Sequence, residues 1–120
     1  MRYYILAGEA SGDLHGGNLA SAILRNDAQA QLQGWGGERM EVAGVHVTKH
    51  YRELAFMGFV EVIKHLGTIR KNFITCKSEI SSFKPDVLIL IDYPGFNLRM
   101  AKWAKKQGLT VIYYISPQVW

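Results

Sequence analysis

The chain has 120 residues, 48% hydrophobic and 20% charged, a balance that excludes a disordered polypeptide and predicts one domain with a single two- or three-layer core. Its formal charge is +4, from 14 basic and 10 acidic side chains, which suits a phosphate-bearing partner without selecting one. The basic residues are dispersed and match no nucleic-acid motif, so nucleic acid is not expected as a partner. The lone Cys76 excludes an intramolecular disulfide and lacks zinc-site spacing, which predicts a reducing compartment, the cytoplasm by default.

Tyr3 to Ala7 is aromatic and branched and stops at a glycine loop, which predicts a buried first strand and not a signal peptide. From Asp13, the residues Leu14, Leu19, Ala22 and Ile23 recur at roughly helical spacing until Arg25-Asn26-Asp27, predicting a crossover helix. Leu32 to Trp35 reads as a second strand closed by Gly36-Gly37. Glu38 to Ala43 reads as a short helix ended by Gly44, and Val45 and Val47 mark a short third strand.

The segment from Phe56 to Phe83 predicts two helices, or one bent near Gly67. On a wheel of about 100° per residue, Phe59, Val60, Val62, Ile63, Leu66, Ile69, Phe73 and Ile74 fill one half. Glu61, Lys64, His65, Thr68, Lys71 and Asn72 fill the other. The apolar half is either a face packed on a sheet or one laid on a membrane. Arg70 projects from its middle, which a helix at a membrane interface tolerates by extending the guanidinium to headgroups. The stripe continues through Cys76, Ile80 and Phe83 to Lys84-Pro85, where a residue before proline leaves the helical region.

Val87 to Ile91 is apolar without alternation, the mark of a central parallel strand covered on both faces. Asn97 reads as the cap of a helix that carries Leu98, Ala101, Trp103 and Ala104, with Lys102, Lys105 and Lys106 toward its end and Gly108 as terminator. Thr110 to Ile115 reads as another buried strand. Strands alternating with helices predict a doubly wound, Rossmann-like parallel α/β sheet of order 3-2-1-4-5. The chain stops at Trp120, just past a core strand, so this domain is expected to belong to a larger protein.

Ligands of such sheets collect at the carboxyl ends of the strands, which directs attention to residues 8–13, 92–97 and 116–120. The loop Gly8-Glu9-Ala10-Ser11-Gly12-Asp13 matches neither G-x-G-x-x-G nor G-x-x-x-x-G-K-[ST], and Glu9 and Asp13 would repel an anion. A neutral polyhydroxylated ligand held by Glu9 and Ser11 suits these residue types. Alternatively, Asp13 or Ser11 caps the helix while Gly8 and Gly12 make the turn. Asp92 ends the most apolar strand, where desolvation favours proton acceptance and suits a general base; its alternative role is to cap the Pro94-Gly95 turn. His15, His46, His50 and His65 are scattered and no D-x-D pair exists, so neither a metal nor a cofactor is expected.

Four motifs, Ala7-Gly8-Glu9-Ala10-Ser11-Gly12-Asp13, Glu53 to Val62, Lys84 to Asn97 and Tyr114-Ile115-Ser116-Pro117-Gln118-Val119-Trp120, occur in this order. Together they resemble the N-terminal half of the lipid-A-disaccharide synthases across essentially the whole chain. The resemblance implies a GT-B glycosyltransferase, two Rossmann-like domains facing across a cleft, of which residues 1–120 are the acceptor-binding one. Without the donor-binding domain the chain alone is expected to be inactive. The implied reaction is an inverting transfer of 2,3-diacylglucosamine from its UDP-linked donor to 2,3-diacylglucosamine 1-phosphate, giving a β-1,6 disaccharide and UDP. Asp92 then resembles the essential aspartate and takes the proton of the acceptor 6-hydroxyl. Glu9 and Ser11 resemble active-site loop residues, and Gly8, Gly12, Asp13, Asn97, Ser116 and Gln118 are the expected substrate contacts. Phe59, Val62, Ile63, Leu66, Ile69 and Arg70 are the expected contacts to acyl chains or to an anionic membrane, on the cytoplasmic face of the inner membrane. A competing expectation is a noncatalytic receiver-like module, but the lysine it needs on the last strand is missing between Thr110 and Ile115.

Overall fold

A computed structural model of the chain describes residues 1–54, 66–91 and 95–114. Five parallel strands, β1 (Arg2–Ala7), β2 (Gln31–Gly36), β3 (His46–His50), β4 (Val87–Ile91) and β5 (Thr110–Tyr114), lie in the order β3-β2-β1-β4-β5. This is the expected Rossmann-like α/β arrangement and the expected strand order. The described helices are α1 (Ala10–Asn26), α2 (Glu38–Val42), α3 (Leu66–Phe83) and α4 (Phe96–Lys106), with a 3-10 turn at Tyr51–Leu54.

Because side chains alternate along a strand, β1 and β4 divide their apolar residues between two cores. Ile5, Ala7, Ile89 and Ile91 join Ala20 of α1 and Met40 of α2 on one face. Tyr4, Leu6, Leu88 and Leu90 join Cys76 and Ile80 of α3 and Phe96, Met100 and Ala104 of α4 on the other. All five residues of β4 are buried, as its unbroken apolar run requires. At the end of α3, Lys84 adopts φ +53°, ending the helix one residue before Pro85.

Three expectations need correction. Helix α1 begins at Ala10, and its buried face is Gly12, Asp13, Gly16, Gly17 and Ala20, while Leu14 is 40% exposed. Small residues face inward because α1 lies against α2 and the sheet: a Cβ on Gly16 would stand 2.7 Å from Met40 Sδ and 3.3 Å from Ile91 Cδ1. In α3 the sheet-facing positions are Asn72, Cys76 and Ile80, and Ile74 is 61% exposed. The wheel had Asn72 and Ile74 the other way round. Burial of Asn72 is tolerated because Lys49 Nζ donates to its Oδ1 at 3.0 Å. Finally, β5 is not buried on both faces. It is paired only with β4 among the described strands, α4 covers the side of Val111 and Tyr113, and Ile112 and Tyr114 are 49% and 37% exposed.

Beneath the α3 face, Glu79 Oε1 accepts hydrogen bonds from Tyr4 Oη (2.9 Å), Trp35 Nε1 (3.2 Å) and Thr48 Oγ1. One carboxylate oxygen on α3 thereby ties to β1, β2 and β3. Burial pushes the Tyr4 phenol and the Cys76 thiol well above their ordinary ranges, with the neighbouring Glu79 charge adding to both. Cys76 is therefore an inert, protonated packing residue.

The tightest constraint in the sheet is Gly34 of β2, where a Cβ would lie 1.8 Å from the backbone oxygen of Ile5. No side chain can yield there, because the obstacle is main chain. Gly34→Ala is expected to destabilise the domain by about 3 kcal/mol or more, read as a lowered midpoint in thermal or urea unfolding. An unchanged midpoint would mean that β1 and β2 separate at no cost.

Candidate functional site

Strand order reverses between β1 and β4, and ligands of open parallel sheets bind in the crevice at such a point. The two strands end level, with Ala7 paired to Ile91, so the loops that begin at Gly8 and Asp92 leave the sheet side by side. Helix α1 starts over this junction. A Cβ on Gly12 would lie 3.1 Å from Ala7 Cβ and 3.6 Å from Ile91 Cγ2, so only glycine lets the first turn come down this far. The unpaired N–H groups of that turn give the crevice a partial positive charge.

Gly8 is buried in the turn, while Glu9 and Ser11 are exposed. Glu9 is the N-cap residue, in extended conformation with φ −156°, and its side chain caps nothing. Instead Ser11 Oγ donates to Glu9 Oε1 at 3.1 Å. The structure thus brings together the acid and the hydroxyl singled out in the loop, as a solvent-facing pair able to accept from and donate to ligand hydroxyls. His15, one turn further along α1, has its ring 5.6 Å from that of Tyr114 at the end of β5. Neither ring was singled out from sequence, since nothing local relates residues so far apart.

Asp13 has a different place from the one expected. It is 3% exposed, and its carboxylate accepts from the backbone N–H groups of Gly37 (2.8 Å), Met40 (3.0 Å) and Arg39 (3.1 Å). It caps α2, the next helix, and not its own, and its charge is spent on these donors and turned away from the crevice. The Tyr51 ring closes over this contact, so that a Cβ on Gly37 would lie 2.5 Å from Tyr51 Cε2 and 2.8 Å from Asp13 Oδ2.

Beyond Tyr51, at the end of β3, His50 Nδ1 accepts from the Arg52 N–H at 3.1 Å, which leaves Nε2, 3.1 Å from Glu38 Oε2, as the protonated nitrogen. The Glu38 backbone N–H, then His50 and Arg52, hold the Glu38 carboxyl below the usual range. Whatever this exposed cluster adds to stability is present above the carboxylate range and is lost as pH falls through it.

Asn97 is likewise not a cap. Gly95, at φ +82°, is the N-cap of α4, and Asn97 lies in its first turn, 0% exposed, with Nδ2 donating to the Ile91 carbonyl at 3.3 Å. Full burial removes it from direct ligand contact. Asp92, Ser116 and Gln118 lie outside the described residues, as do Phe59, Val62, Ile63 and the side chain of Leu66. Ile69 is half-buried and Arg70 exposed. Among the described residues, no group of three or more His, Cys, Asp or Glu side chains is placed to hold a metal ion.

Asp13→Asn tests the capping role. The amide keeps one acceptor but turns an NH2 toward backbone donors, leaving buried N–H groups unpaired, and is expected to cost about 2 kcal/mol or more. A midpoint of thermal unfolding equal to that of the parent would show the three hydrogen bonds to be dispensable.

A family model described as lipid-A-disaccharide synthetase matches residues 3–120. The chain is 52% identical over 99% of its length to a lipid-A-disaccharide synthase of Geobacter metallireducens. It is 46% identical over 99% to lipid-A-disaccharide synthase 1 of Legionella pneumophila, and 45% identical over 97% to a lipid-A-disaccharide synthase of Coxiella burnetii. It spans 31% of the length of each of these relatives. With the reversal-point crevice, the Glu9–Ser11 pair and a family match over nearly every residue, the chain belongs to the lipid-A-disaccharide synthetase family.

Proposed function

We propose that this chain is the acceptor-binding domain of a glycosyltransferase of lipid A biosynthesis with GT-B architecture, whose donor-binding domain follows in the full-length protein. The observation that carries the reading is the exposed Glu9–Ser11 pair above the β1/β4 junction, in a chain whose family match spans residues 3–120.

The proposed substrates are UDP-2,3-diacylglucosamine and 2,3-diacylglucosamine 1-phosphate. Asp92 takes the proton of the acceptor 6-hydroxyl, whose oxygen attacks the anomeric carbon of the donor. The bond to UDP breaks on the opposite side, so configuration inverts and a β-1,6 linkage forms. Glu9 and Ser11 hold sugar hydroxyls. The leaving diphosphate is stabilised in the other domain by basic side chains and a helix N-terminus. Asp13, whose oxygens are already occupied by α2, supports the crevice and does not contact substrate.

Acylated substrates require the cleft to open beside an apolar surface, and the proposed location is the cytoplasmic face of the inner membrane. Supporting this, the start of α3 exposes Arg70, Lys71 and Ile74 together, a combination suited to anionic headgroups. No described helix is long and apolar enough to cross a membrane.

In the full-length enzyme, Asp92→Asn is expected to lower turnover by about 10² to 10⁴ with acceptor binding retained; near-wild-type turnover would reduce Asp92 to a turn residue. For the membrane reading, serine at Phe59, Val62, Ile63, Leu66 or Ile69 is compared by melting temperature and vesicle co-sedimentation. At least Phe59→Ser is expected to weaken sedimentation without melting the domain. If every substitution melts the protein and none changes sedimentation of the folded form, the face is core and the membrane reading fails.

A further inference from the structure

Asn97 has no exposed surface, yet only half of its amide is used. Nδ2 donates to the Ile91 carbonyl at 3.3 Å, while Oδ1 is buried without a hydrogen-bond partner among the described residues. A buried carbonyl oxygen left unpaired costs stability, and an apolar side chain of the same size would avoid that cost. Helix α4 has no need of this residue for its own start or its packing. Gly95 is its N-cap, and Phe96, Met100 and Ala104 supply its contribution to the core.

The amide reaches one particular group, the carbonyl of the peptide bond that joins Ile91 to Asp92. Rotation of that peptide plane changes the direction in which the Asp92 Cα–Cβ bond leaves the strand, because the plane carries the Asp92 nitrogen. The hydrogen bond spans six residues and ties the last peptide of β4 to the first turn of α4, across the loop that holds the proposed base. Since full burial prevents Asn97 from touching a ligand, any part it plays in the reaction passes through residue 92.

We infer that Asn97 is a positioning residue for Asp92: by holding the Ile91 carbonyl it fixes the peptide plane from which the Asp92 carboxylate is aimed at the acceptor hydroxyl. The inference rests on the reading of Asp92 as the base. Misplacement of a catalytic group by about 1 Å costs about 10² in rate, which sets the scale of the expected loss. The unpaired Oδ1 is the stability cost of using an amide where leucine would pack.

The test uses the full-length enzyme carrying Asn97→Leu, Asp92→Asn, or both. Asn97→Leu is expected to melt near the parent temperature, to lose about 10² in kcat, and to leave the acceptor KM unchanged. In the Asp92→Asn background it should cause no further loss, because the group it positions is gone. Near-parent kcat in Asn97→Leu overturns the proposal, and so does an equal, additive loss on top of Asp92→Asn. Failure of the base reading shows separately, as turnover retained in Asp92→Asn alone, and takes the proposal with it. Should Asn97→Leu not fold, Asn97→Asp removes the amide donor at nearly constant volume and is expected to show the same kcat loss at unchanged KM. Melting of both variants below the assay temperature overturns the proposal by making Asn97 a residue of the fold.

Discussion

Three backbone N–H groups at the start of α2 converge on the carboxylate of Asp13, and the position of the candidate site depends on that contact. Asp13 lies in the first turn of α1, so the same residue that fixes the loop after β1 also fixes the turn after β2. The carboxylate can reach α2 only because glycines at positions 12, 16 and 17 let α1 lie close to the sheet and to α2. Close approach, in turn, sets the exposed Glu9 and Ser11 directly above the ends of β1 and β4. Charge, helix packing and ligand-facing groups are thus parts of one local arrangement in which Asp13 supplies rigidity and its two polar neighbours remain available.

Sequence patterns carried much of the architecture. The unbroken apolar run Val87 to Ile91 identifies a central strand because both its faces are covered, and the alternation of strand and helix leads to the observed strand order. The patterns failed where packing was made by something other than large apolar side chains. A helix face of glycines has no hydrophobic periodicity, so α1 was assigned the wrong inner surface. The buried Asn72 looked like a solvent residue because its partner, Lys49, comes from β3. The edge position of β5 could not be seen in Thr110 to Tyr114, which contain the same residue types as a doubly covered strand.

The site was legible as chemistry and less so as geometry. Glu9 and Ser11 stood out as an acid and a hydroxyl in a strand-end loop, and they do hydrogen-bond to each other. Asp13, two residues further on and equally acidic, has a structural role that only the long-range contact to Gly37 discloses. Asn97 was taken for a helix cap because asparagine favours that position; the positive φ at Gly95 instead moves the cap two residues earlier.

The triple use of Glu79 bears on how this domain comes apart. β3 is a five-residue strand, half-exposed along its length, of the kind that ordinarily frays with little free-energy cost. Its Thr48 shares one acceptor oxygen with Tyr4 on the central strand and Trp35 on β2, all held by α3. Opening β3 therefore strips a donor from an oxygen that also serves the middle of the sheet. The edge is drawn into the same cooperative unit as the centre, and amide exchange along β3 belongs to whole-domain opening and not to local fraying.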